Sequence, residues 1–244
     1  MEHADIPSGE QRADPPIRRC GLDEVGRGAL AGPLVAAAVI LPDDIVSRLG
    51  SLAVFLRDSK TVPPARRAEI VRHITAHALA LAIAVCPTQI INSTGIGPAN
   101  RIVFRQLIGA IDADDYVVDG RVTPFAPPGY PERAARIRCL VKADALVPAV
   151  SAASLVAKVY RDHIMADLGQ TYPEYAWAEN AGYGTPAHLA ALRAHGVTPE
   201  HRTLFVTTAL TGGQHARKKA KQAQQPELFD LIPHPPLPEE RGSA

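Results

Sequence analysis

Apolar positions in this chain fall into short blocks whose period switches between that of a strand and that of a helix. Ile17–Val25 (IRRCGLDEV) and Pro33–Leu41 (PLVAAAVIL), on either side of a glycine-rich turn, predict two buried strands. A helical stretch follows in PARRAEIVRHITAHA from Pro64, then a strand in ALALAIAVC ending at Cys86, then a helix in ANRIVFRQLIGAID from Ala99. Asp115–Gly120 (DYVVDG) and Arg136–Asp144 (RIRCLVKAD) predict two more strands, flanking the loop RVTPFAPPGYP, whose four prolines forbid a regular element inside it. After Pro148 a long helical pattern runs to about Tyr172-Pro173. A last helix is expected with Thr185 as its cap and Pro186 at its first position. The pattern is that of an α/β protein with a mixed sheet and a helical C-terminal part, without internal repeats.

The ends look different. Residues 1–16 carry four acids, one arginine and three prolines with no apolar period, and residues 212–244 hold a basic HARKKAK followed by a proline-rich stretch, so both are expected to be disordered tails. The predicted folded domain is 17–211. Overall the 244 residues balance 26 Lys+Arg against 25 Asp+Glu, but both tails removed leave a mildly basic body, which points weakly to an anionic partner. The longest apolar run, between Pro33 and Pro42, is far short of the roughly 18 residues that span a bilayer, so no membrane association is expected. With no secretory-type start and three cysteines lacking a CxxC spacing, a reducing cytoplasm and a monomer are the expectation.

Acids stand where such folds build sites. Asp23 and Glu24 close the first strand, Asp119 closes DYVVDG, and Asp144 closes RIRCLVKAD. Neighbours on a regular strand face opposite ways, so Asp23 and Glu24 share a site only if the strand breaks there, and Gly26-Arg27-Gly28 supplies a break. Four gathered carboxylates repel, which a hard divalent cation relieves, and a cation among carboxylates points to phosphate chemistry. On residues alone, a phosphohydrolase of small esters and an inert nucleic-acid-binding module remain as alternatives.

The string GLDEVGRGALAGPLVAAAV at residues 21–39 resembles the opening signature of the type 2 ribonucleases H, specifically bacterial ribonuclease HII. The similarity continues through Asp58-Ser59-Lys60, VVDG around Asp119, KAD at 142–144, SAASLVAKVYRD at 151–162, GYGT at 182–185 and HRTLF at 201–205. It implies a ribonuclease H-like fold, Mg²⁺ or Mn²⁺ as cofactor, and Asp23, Glu24, Asp119 and Asp144 as the catalytic, metal-holding acids. It also implies hydrolysis of the RNA strand of RNA–DNA hybrids and nicking of DNA duplexes 5′ of an embedded ribonucleotide. Gly26, Arg27, Gly28 and Tyr183 would read the ribonucleotide junction: glycines let main-chain groups approach a sugar, and a tyrosine ring packs on the next deoxyribose, where a 2′-oxygen would clash.

Ser151, Ser154 and Lys158 share a helical face and are candidate phosphate contacts, although Asp162 lies one turn beyond Lys158 and offers it a partner instead. Lys60 is a candidate backbone contact or a solvated surface lysine. The histidines have no ligand spacing near the acids; His201 is expected to pack or to contact phosphate rather than to ligate, and Tyr175 and Trp177 are expected to pack. The chain departs from the family in having Gly95-Ile96 where Asn-Ile is common, and in a longer, proline-rich insert before Lys142. In the C-terminal tail, Gln225-Pro226-Glu227-Leu228-Phe229 resembles the peptides that dock replication enzymes on the sliding clamp, and Arg217, Lys218, Lys219 and Lys221 add attraction for DNA.

Overall fold

Five strands hydrogen-bond in the order β3-β2-β1-β4-β5: β1 (Arg19–Val25), β2 (Leu34–Ile40), β3 (Ala80–Cys86), β4 (Asp115–Asp119) and β5 (Ile137–Leu140). The computed structural model describes residues 17–50, 62–121 and 126–212. Lys60, the tail basic cluster and Gln225–Phe229 fall outside these. β1, β4 and β5 are parallel, with Arg19 opposite Asp115 and Tyr116 opposite Ile137. β2 follows β1 after only residues 26–33, too few for the crossover that a parallel neighbour requires, so the sheet is mixed. Every residue of β2 is buried, as are Tyr116, Val117 and Val118 of β4, which is why both are continuous apolar runs without alternation.

The helices are α1 (Ile45–Leu49), α2 (Pro64–His77), α3 (Thr88–Thr94), α4 (Ile96–Ala110), α5 (Ala143–Leu146), α6 (Pro148–Thr171), α7 (Trp177–Asn180), α8 (Pro186–His195) and α9 (Thr203–Thr211). Among the described residues no helix is long and apolar enough to cross a membrane. The short α1 and α7 have no counterpart in the sequence expectation, and three further differences concern the longer pattern. α4 begins ahead of Ala99, directly after the separate α3, and Gly95 joins the two at φ 87°, a conformation that glycine adopts without strain. RIRCLVKAD is a strand only to Leu140: Lys142 turns left-handed at φ 61° and Asp144 lies in the first turn of α5, not at a strand end. And α8 is not the last helix, because TLFVTTALT forms α9.

Tertiary contacts divide the chain into two compact units. The first comprises the described residues of Met1–Asp23, Ala37–Ala82 and Leu107–Val156. There Asp115 accepts from Arg19 (2.7 Å) and from Arg138 (2.7 Å), tying together the starts of three parallel strands. Buried Arg133 donates to the carbonyls of Ile108 and Ile111, satisfying the end of α4. Val117, Ala143 and Val150 form a small apolar cluster in the same unit.

The second unit comprises Glu24–Ala36, Ile83–Gln106 and the described residues of Ala157–Ala244. Its core packs Leu30, Ala31, Met165, Tyr175, Trp177, Leu192 and Val206. Thr185 caps α8 as expected, its hydroxyl accepting from the His188 amide at 3.3 Å.

Gly21 is required by packing: a methyl there would overlap the Ala149 carbonyl carbon and the Val150 nitrogen, where the backbone of α6 rests directly on β1. Gly21→Ala is therefore expected to lower folding stability by about 3 kcal/mol or more, since a backbone cannot step aside as a side chain can. Chemical denaturation of the variant beside wild type measures this.

Candidate active site

Three of the four acids belong to the first unit. The paired register of β1 and β4 ends at Leu22 opposite Val118, so the next positions on these parallel neighbours are Asp23 and Asp119, one strand spacing of about 4.8 Å apart. Asp119 Oδ1 accepts the Ala143 amide at 2.7 Å, which anchors the end of β4 to the turn that carries Asp144. Asp23 is 7% exposed and Asp144 3%. Glu24, the first residue of the second unit, pairs with Arg27 across 3.4 Å. Because Arg27 is largely exposed, that pair contributes little stability.

The break falls at Gly26-Arg27-Gly28 as expected, but it does not separate Asp23 from Glu24. β1 continues through both acids to Val25, and the turn starts at Gly26, where φ is 86°. Among the described residues no group of three or more histidine, cysteine or acidic side chains stands close enough to hold a metal ion. The donor set itself is all carboxylate oxygen, the chemistry that hard dications such as Mg²⁺ and Mn²⁺ select.

In the second unit the loop of residues 26–33 is held from beneath by two fully buried arginines. Arg202 donates to the carbonyls of Gly26 (2.6 Å), Arg27 (3.2 Å) and Gly32 (2.8 Å). Arg161 donates to Pro33 (2.9 Å) and Ala31 (3.0 Å). All peptide bonds described are trans, so each carbonyl turned toward a guanidinium sends the following amide the other way. The amides of Arg27 and Gly28 thus point away from Arg202, on two residues that are exposed and, at Gly28, open around the missing Cβ. Burial draws the Arg202 guanidinium down to about 10 and lowers that of Arg161 as well, yet both stay charged at neutral pH.

Tyr183 stands nearby on a turn that begins with left-handed Ala181 and Gly182, and the residue is 36% exposed. Its carbonyl accepts from His188 Nδ1 at 3.0 Å, which leaves His188 Nε2 to accept. Trp177 Nε1 (3.1 Å) and His201 Nε2 (3.1 Å) both donate there, while His201 Nδ1 accepts the Thr198 amide at 2.8 Å. The chain of bonds is consistent only with both imidazoles neutral, and burial pushes His201 down to about 4. Tyr175 and Trp177 pack as expected, and His201, buried against both rings, takes the packing role of the two offered for it.

On α6, Lys158 meets Asp162 at 2.7 Å, the pairing that the sequence had offered as its alternative. Ser154 is half-buried, whereas Ser151 is fully buried and is not presented at a surface. Sequence reasoning passed over Arg161 and Arg202 as individual residues, although both lie inside the VAKVYRD and HRTLF strings.

The sequence model of the ribonuclease HII family matches residues 20–208. A ribonuclease HII of Paracidovorax citrulli is 43% identical over 197 residues, covering 80% of this chain and 77% of that protein. Among solved structures, the PCNA:RNase HII complex from Archaeoglobus fulgidus aligns at 25% identity with a TM-score of 0.64, covering 76% of this chain and 94% of that one. The ribonuclease H2 of Pyrococcus horikoshii shares the fold, with a TM-score of 0.66 at 23% identity over 82% of this chain and all of that one. With a mixed sheet flanked by helices and the family's signature running almost the whole described length, the chain belongs to the ribonuclease HII family: it is a type 2 ribonuclease H, a hydrolase of the endonuclease class.

Proposed function

We propose that this enzyme hydrolyses the RNA strand of RNA–DNA hybrids and nicks DNA duplexes on the 5′ side of an embedded ribonucleotide, leaving 5′-phosphate and 3′-hydroxyl ends. The observation that carries this reading is the loop at Gly26, Arg27 and Gly28, whose carbonyls are taken up by Arg202 and whose following amides are directed away from it. Those amides are donors for a 2′-hydroxyl, the group that separates RNA from DNA. Tyr183, exposed on the same unit, would pack on the next deoxyribose and reject a 2′-oxygen there. Ser154 and Lys158 would contact phosphates of the bound strand, with Ser151 buried behind them, and Lys60 is a further candidate contact.

Asp23, Glu24, Asp119 and Asp144 would hold Mg²⁺ or Mn²⁺. Such an ion, when bound, supplies Lewis acidity at the phosphodiester and a water acidic enough to attack at neutral pH. The residues themselves position the strand: Asp23 and Asp119 by their shared register, Asp119 and Asp144 by the bond to the Ala143 amide. The catalytic region is taken as 17–211, working as a monomer in the cytoplasm, where the free thiols of Cys20, Cys86 and Cys139 stay reduced.

The tail segment Gln225–Phe229 is proposed to dock on a sliding clamp. The Archaeoglobus fulgidus protein, solved as a PCNA:RNase HII complex, supports looking for such a partner.

Asp23→Asn, Glu24→Gln, Asp119→Asn and Asp144→Asn are each expected to cut cleavage by orders of magnitude while the fold persists, as read by timed digestion of a labelled duplex with one ribonucleotide in Mg²⁺ or Mn²⁺. Wild-type turnover by Asp144→Asn at matched metal would remove the fourth acid. Tyr183→Ala is expected to weaken cleavage at a single ribonucleotide by about tenfold and to affect a long hybrid much less; equal losses on both would show that the ring only packs. Truncation after Gly213 should leave cleavage of a short duplex near wild type at low salt but flatten the salt dependence of binding to long DNA, each lost phosphate contact lowering the log–log slope by about one. In an isolated tail peptide, Leu228→Ala with Phe229→Ala should abolish clamp binding, and a wild-type peptide without such binding ends the docking proposal.

A further inference from the structure

Arg161 touches both elements that the proposed function assigns to ribonucleotide recognition. Through Nε and one Nη it donates to the Pro33 and Ala31 carbonyls of the loop, and through the other Nη to the Ala181 carbonyl at 2.8 Å. Its Cζ lies 5.6 Å from the centre of the Tyr183 ring, within cation–π range. A Cβ at Gly26 would overlap its Nε, so the loop closes directly onto the guanidinium. Arg161 itself is fully buried.

The turn it holds is a strained one. Ala181 sits at φ 48°, a left-handed conformation that strains a residue with a Cβ and persists only where neighbours over-determine it. Here the Asn180 side chain accepts the Gly182 amide at 2.8 Å and donates to the Tyr175 carbonyl at 2.7 Å, while Arg161 takes the Ala181 carbonyl. The Gly182 carbonyl in turn accepts the Leu30 amide at 2.8 Å. Arg202 differs: its donors reach only loop carbonyls, those of Gly26, Arg27 and Gly32.

We infer that Arg161 is a positioning residue for substrate discrimination: its single guanidinium fixes the Gly26–Pro33 loop and the Ala181–Tyr183 turn in one arrangement, so that the loop amides and the tyrosine ring meet the two sides of one ribonucleotide–deoxyribonucleotide junction. The inference rests on the junction-reading role proposed for Tyr183. Arginine is required because its planar fork reaches three carbonyls at once. Lysine keeps the charge but not the fork.

The test is a binding ratio in EDTA, which needs no turnover. Fluorescence anisotropy gives the Kd of the full-length protein for a duplex with one ribonucleotide and for the all-DNA duplex of the same sequence. Misfolded protein binds neither, so a purely structural role leaves the ratio of the two Kd values unmoved. Arg161→Lys should lower that preference by about tenfold, and combining it with Tyr183→Ala should cost no more than the larger single change, because both act on the same contact. Arg202→Lys and Tyr183→Ala should instead multiply.

A normal preference in Arg161→Lys beside a reduced one in Tyr183→Ala overturns the inference and leaves the reading of Tyr183 standing. Unchanged preference in Tyr183→Ala overturns that reading, and the inference with it. A measurement on wild-type protein covers the case in which Arg161→Lys does not fold. In ¹⁵N-labelled enzyme the Arg161 Nε–H resonance should shift on adding the ribonucleotide duplex and not on adding the all-DNA duplex, and an identical response to both overturns the proposal.

Discussion

Two guanidinium groups buried beneath one loop are the interaction on which the second compact unit depends. A buried charge is costly unless its hydrogen-bonding capacity is met, and here it is met by backbone carbonyls of the Gly26–Pro33 loop, with Ala181 the one acceptor outside it. Hydrogen bonds to a charged donor are worth about 1.5–3 kcal/mol each, so the loop cannot turn its carbonyls outward without abandoning several of them. The outward direction of the Arg27 and Gly28 amides follows from planar trans peptides and needs no side chain of its own. The exposed glycine-rich surface is set by residues more than a hundred positions away in sequence.

The acids of the first unit follow a different constraint. They are placed by register: β1 beside β4 in parallel puts Asp23 and Asp119 one spacing apart, and β4 beside β5, with Asp119 opposite Leu140, brings the chain round to Asp144 within four residues. The left-handed Lys142 makes that turn, and the Ala143 amide on Asp119 closes it. Acids positioned by a sheet are held without any need to attract one another. That suits a set of like charges that only a cation would draw closer.

The strands and the long helices were legible because buried parallel strands are continuous apolar runs and α4 buries Ala99, Val103, Phe104, Leu107 and Ile108 at helical spacing. Chain reversals were less legible. Asp144 was expected at a strand end because Leu140 and Val141 extend the apolar run, yet the left-handed turn at Lys142 falls on a residue with no propensity for it. α9 was missed because Thr203–Thr211 mixes threonines with apolar residues and shows little periodicity. The family strings located the candidate acids, the Gly-Arg-Gly loop and Tyr183, but not the arginines beneath them, since a buried arginine bonded to carbonyls leaves no pairing acid in the sequence to mark it.

Tyr183 shows how far this organisation extends inward. Its carbonyl receives the proton of His188 Nδ1, His188 Nε2 receives those of Trp177 and His201, and His201 receives the Thr198 amide, a directional chain in which every ring nitrogen has one role. A second proton on His188 would set an N–H against two donors, so the turn is pinned only while the pair is neutral, and burial lowers both imidazoles toward that state. Arg161 from one side and His188 from the other therefore fix the backbone on either side of the same residue, at Ala181 and at Tyr183 itself. The tyrosine ring, with the Arg161 guanidinium 5.6 Å from its centre, projects from this clamped backbone. The proposed rejection of a sugar oxygen by Tyr183 requires such a backbone, clamped from both sides, because the clash that the atom creates must not be relieved by moving the turn.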